Sequence, residues 1–129
     1  MKYLSVDDLN FNSYTPGNGI RTPALILNHI NGLLLYISSF LVDIPNTFPD
    51  ELNFEDEVKR FKSLIKKLDC YVLCNELASE MTYKQILQGP LADIMLHIGE
   101  LSMQRKYSGN PADDIENYIY ADITAGEFK

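Results

Sequence analysis

The 129 residues, 46% of them hydrophobic, suffice for one domain built round a single core, and residues 1–129 are read as one domain. A formal net charge of -7 repels phosphate backbones, and no long basic run offsets it, so nucleic acid is not an expected partner. Asn28, His29 and Asn31 interrupt the apolar run from Leu25 to Phe40, and the start lacks a signal peptide's apolar core, so we expect no membrane span and a cytoplasmic chain.

Residues 1–20 show no periodicity and end in the turn-forming Tyr14-Thr15-Pro16-Gly17-Asn18-Gly19, which predicts a loop. Thr22 followed by Pro23 is a helix start, a hydroxyl cap before a proline whose missing N–H does no harm at the first helical position. The predicted helix runs to about Val42, with Ile26, Ile30, Leu33, Leu34, Ile37, Phe40 and Leu41 as its buried stripe. Pro45 and Pro49 impose a loop. A second helix is predicted from Phe54 to Leu77, opened by Glu55, Asp56 and Glu57 and packed through Val58, Phe61, Leu64, Ile65, Leu68, Val72 and Leu73. Cys70 and Cys74, four apart on it, are expected as two small core residues in preference to a redox or metal pair. Thr82 caps a short turn ending at Gln88-Gly89-Pro90, where a third long helix starts and runs to Tyr107, before the stop Ser108-Gly109-Asn110-Pro111. The tail, with Ile115, Tyr118, Ile119, Tyr120 and Ile123, is apolar enough to pack on the rest. Amphipathic helices joined by Pro and Gly loops predict an all-α, up-down helical bundle.

The third helix carries a polar line. Asp93, His97, Glu100 and Gln104, spaced four, three and four apart, fall within roughly 60° of the circumference. Ile94 and Leu101 on one side and Leu96 and Met103 on the other bracket the line, so it can point inward. His29, the other histidine, falls at the edge of the first helix's stripe. Two neutral imidazoles and one carboxylate, two of the three at i and i+4, make a facial site for a divalent ion with open positions, and His29, Asp93 and His97 are the candidate ligands. Glu100 is a candidate acceptor behind a ligand, or a catalytic base for a water that the ion activates. A satisfied core histidine and a solvated polar face explain the same residues without an ion, and Asp-x-x-x-His recurs by chance in many helices.

The segment Leu87-Gln88-Gly89-Pro90-Leu91-Ala92-Asp93-Ile94-Met95-Leu96-His97-Ile98-Gly99-Glu100-Leu101 resembles the DinB-like superfamily of metal-binding helical bundles, in a subgroup with a Gln-Gly-Pro entry into an Asp-x-x-x-His-x-Gly-Gln helix. Arg105, Gly109-Asn110-Pro111, Glu116-Asn117-Tyr118 and Ala121-Asp122-Ile123 extend the resemblance. Upstream, Pro16-Gly17-Asn18-Gly19-Ile20-Arg21-Thr22 leading to Leu27-Asn28-His29-Ile30 is similar to the family's entry into its first ligand helix. The resemblance implies a divalent metal, commonly zinc, nickel or iron, on His29, Asp93 and His97. It departs from the commoner pattern at Asp93, where His is usual, and at Glu100, where Gln is frequent. Some relatives are thiol-dependent transferases or isomerases, which implies a small-molecule substrate or a thiol cofactor. The family's long first helix has almost no room here. A groove is then expected to be filled in a homodimer, unless the chain is part of a longer protein. The competing expectation is a non-catalytic interaction or stress-response module in which both histidines serve structure.

Overall fold

A computed structural model describes residues 14–74 and 82–109. Every regular element among them is helical: α1 (Pro23–Ser39), α2 (Phe54–Cys74), α3 (Tyr83–Ile86) and α4 (Ala92–Tyr107), the last two joined by one π turn (Leu87–Leu91). The all-α bundle expected from the sequence is the fold. The apolar tail and the start of the chain lie outside the described residues, as does the second helix beyond Cys74.

α1 begins where predicted. Thr22 caps it, its hydroxyl accepting from the Leu25 N–H, and Pro23 takes the first helical position. It ends at Ser39, and bonds from Leu41 and Val42 to the Ser38 carbonyl continue the turn slightly further. The helix is buried nearly all round because it lies between two neighbours. Ile26, Ile30, Leu34 and Ile37 are joined inside by Leu27, Asn31 and Ser38.

α2 is opened by Asn53, whose side-chain oxygen accepts from the Asp56 N–H at 2.8 Å. Phe54, Val58, Phe61 and Leu64 pack on α1, each such burial worth about 1.5–3 kcal/mol. Farther on the predicted stripe fails: Ile65 and Leu68 are partly buried, while Val72 and Leu73 are exposed. Cys70 and Cys74 are exposed too, which corrects their expected place in the core. The reason is register: Asn31 meets Glu57, and Ser38 shares a cavity wall with Leu64, so α1 ends at Ser39 while the last turns of α2 run on past it to Cys74.

Asn31 of α1 meets Glu57 of α2, and the later Leu35 and Ser38 share a cavity wall with Leu64 and Lys67, so α1 and α2 run in the same direction and the up-down order expected from the sequence does not hold for this pair. The 14 residues between them take the chain back. α4 runs against α1: His97 faces His29, and Gln104, farther along α4, donates to the Arg21 carbonyl that precedes α1.

The third helix was expected to start at Pro90, with a separate capped turn before it. Instead helical structure is continuous from Tyr83, after a capping box between Thr82 and Gln85, and Pro90 sits inside the π turn. Proline lacks an N–H and crowds the carbonyl four residues back, and the wider turn accommodates both effects. Ile86 before the turn and Ile94 after it are both buried in the one core cluster. α4 closes where predicted, with Gly109 in the left-handed region (φ 82°) and its N–H bonded to the Lys106 carbonyl.

Candidate metal centre

The antiparallel contact of α1 with α4 brings the two histidines together. His29 and His97 meet edge to face with ring centroids 4.7 Å apart. Asp93 lies between them: its Oδ2 is 3.4 Å from His29 Nε2 and its Oδ1 is 3.3 Å from His97 Nε2. One donor atom from each of the three residues falls within 4.8 Å of the others. In a tetrahedral zinc site with bonds of about 2.0–2.1 Å, neighbouring donors stand about 3.3–3.4 Å apart, so each imidazole-to-carboxylate separation is that of a ligand pair. The two contacts use different oxygens of Asp93 and the three-donor set spreads to 4.8 Å, so the side chains would draw together to share one ion. The i,i+4 spacing on α4 sets one of these distances and helix packing the other.

Burial is graded across the cluster. The His97 side chain is 12% exposed, His29 26% and Asp93 42%, so the approach from solvent is over the carboxylate. A site walled by two imidazoles and open at the aspartate can offer free coordination positions to a substrate.

Glu100 stands behind His97, with its Oε1 3.1 Å from Nδ1. With the imidazole proton on Nδ1 and donated to Glu100, the Nε2 lone pair faces Asp93 and His29, the arrangement in which a carboxylate fixes the tautomer and orientation of a metal ligand. Of the two roles expected for Glu100, the geometry matches the acceptor behind a ligand.

The fourth member of the polar line is elsewhere in function. Gln104 is buried and its Nε2 donates to the Arg21 carbonyl at 2.7 Å, tying α4 to the start of α1. The expected bracketing of the line is one-sided: Ile94 and Leu101 are buried, whereas Leu96 and Met103 are more than half exposed. The line therefore lies along the seam between α4's packed and outer faces, which lets Asp93 reach His29 while remaining open.

Sequence reasoning missed Phe48. This residue of the connection between α1 and α2 lies nearly parallel to the His29 ring, with an interplanar angle of 12° and centroids 6.1 Å apart. Its ring rests on Gly32, where a Cβ would overlap the ring's Cδ1 and Cε1. The available signal was Gly32 itself, since glycine inside an apolar helix is unfavourable by about 1 kcal/mol relative to alanine and marks close approach of another group. Asn28, one residue before His29, donates through Nδ2 to the carbonyls of Pro49 and Asp50, both at 3.2 Å, and holds that connection against α1.

No helix among the described residues is long and apolar enough to cross a membrane. Set against models of protein families, curated proteins and solved structures, the chain matches none of them.

Proposed function

We propose that this chain is a DinB-like protein that holds one divalent ion, zinc, nickel or iron, on His29, Asp93 and His97, and uses it in hydrolysis or thiol transfer on a small molecule. The observation that carries the reading is the meeting of these three donors, drawn from two helices and 64 residues apart in sequence, with Glu100 behind His97. Two imidazoles and one carboxylate are a donor set that all three metals accept. When bound, the ion would supply Lewis acidity to a water or a thiol at the open side of the site.

The protein's own groups then divide the work. His97 is oriented by Glu100, His29 supplies the donor from the opposite helix, and Asp93 supplies the anionic ligand beside the solvent opening. The test is elemental analysis of protein purified without an affinity tag or chelator, beside His97→Ala. About one ion per chain in the parent and none in the variant supports the reading. No ion in the parent, even after incubation with each metal, removes it.

A second reading, a non-catalytic module that pairs with a copy of itself, draws on Met95, Leu96 and Met103, all more than half exposed along α4. Sedimentation of the parent beside Leu96→Glu separates the readings: a dimer that the substitution dissociates supports pairing, and a monomer at all concentrations removes it.

A further inference from the structure

We infer that Gly32 and Phe48 form a device that positions the His29 imidazole, with Gly32 acting only through the space it leaves for the Phe48 ring. The inference rests on the metal reading for its purpose and on geometry for its existence. His97 is held from behind by a carboxylate. His29 has a different support: its Nε2 faces Asp93, its ring meets the edge of His97, and Phe48 is stacked on it.

Three observations converge on the Phe48 contact. Gly32 is buried in the middle of α1, one turn after His29, where a side chain would otherwise project under the ring. Phe48 is 64% exposed, so core burial does not account for its place. The backbone just after it is fixed at two points, by Asn28 and by Arg60, whose Nη1 donates to the Asp50 carbonyl at 2.8 Å. The ring is therefore delivered to one location, its Cδ1–Cε1 edge over the bare backbone of Gly32 and its face beside the imidazole. Stacked there, it restricts rotation of His29 about the bond to its ring and keeps Nε2 aimed at Asp93. Phe48 is a positioning residue because its described ring contact is with the ligand His29.

The device predicts an unusual response to Gly32→Ala. The new methyl group displaces the outer end of a movable side chain and no backbone, so α1 is not disrupted, and alanine is the better helix former. The variant should melt no lower than the parent and yet bind the ion more weakly.

The experiment is a zinc titration against a competing chromophoric chelator for the parent, Gly32→Ala, Phe48→Ala, the double variant and Phe48→Tyr. Alongside it, NMR of the metal-free proteins records the His29 ring protons. The stacking contact predicts about three- to tenfold weaker zinc binding for each single alanine variant. The double variant should bind no more weakly than Phe48→Ala, and Phe48→Tyr should bind like the parent. In the metal-free proteins the His29 ring-proton shifts should move in both single variants, because the neighbouring ring current is removed.

Equal zinc affinity in the parent and both single variants would overturn the inference. So would a Gly32→Ala effect that persists undiminished in the Phe48→Ala background, since the glycine would then act by another route. If the parent binds no zinc, the metal reading fails separately and the NMR arm decides. A His29 shift caused by Gly32→Ala and abolished in the Phe48→Ala background supports the device, and an unmoved resonance refutes it.

Discussion

Glu57 gathers three donors at the contact of α1 with α2, and Glu57→Ala measures that role. Its side chain is fully buried at the α1–α2 contact. It accepts from Asn31 Nδ2 at 3.1 Å, from Arg60 Nη1 at 3.0 Å and from the Leu52 N–H at 3.3 Å. Alanine removes all three acceptor contacts. Asn31 keeps one acceptor, the backbone carbonyl of residue 57 at 3.1 Å, and Arg60 keeps the Asp50 carbonyl, but the Leu52 amide loses its side-chain acceptor. Breaking a buried pair by removing one partner costs about 3–5 kcal/mol. Arg60 is 23% exposed and can turn toward water, so the lower end, about 3 kcal/mol, applies here. For a domain of this size that corresponds to a fall in Tm of roughly 12 °C, whereas Glu57→Gln, which keeps a carbonyl oxygen in place, should cost about 1 kcal/mol. Urea unfolding followed by circular dichroism, with parallel calorimetry, gives both numbers. A Glu57→Ala protein melting within about 2 °C of the parent would refute the claim that this cluster holds α1 to α2.

Leu101, fully buried where α4 packs on the core, should cost about 2–5 kcal/mol on truncation to alanine, read from the shift in urea midpoint at constant slope. An unchanged midpoint would mean that α4 contributes little to the packed unit. Cys70 and Cys74 should both react with an aromatic disulfide reagent in the folded chain, and reaction only on unfolding would contradict their exposure. Cys70 should react slowly near neutrality. Its hydrogen bond to Cys74, followed by the charge of Cys74, pushes its thiol above the ordinary range, so less of it is the reactive thiolate. The Cys70 rate should climb as pH rises through that elevated value, and Cys74→Ala should accelerate Cys70 at pH 8, measured by mass spectrometry of alkylated peptides.

The parts legible in the sequence were those fixed by local chemistry. Thr22-Pro23, the Thr82 cap and the stop at Gly109 act over one turn, and each is where its residue types place it. The pairing of Asp93 with His97 follows from helix geometry alone. The meeting of both with His29 depends on how α1 and α4 cross, which no spacing within one helix determines; the clue was that both histidines stood beside apolar stripes. Pro90 misled because proline was read as a helix start, when the backbone instead widens by one residue around it. Cys70, Val72 and Leu73 misled because periodicity marks a face as apolar without saying how far its partner helix extends. Phe48 left no pattern of its own, since a loop residue reaches a site by tertiary contact. Only the unexpected glycine beneath it recorded the contact.

X-ray absorption at the zinc edge reports the donor atoms themselves and so decides whether His29, Asp93 and His97 share an ion. Protein loaded with one equivalent of zinc should show nitrogen and oxygen donors only, with the outer-shell scattering of two imidazoles, reduced to one in His29→Ala. A sulfur contribution near 2.3 Å would place the ion on the exposed Cys70 and Cys74, and a spectrum unchanged in His29→Ala would show that the two helices do not share it.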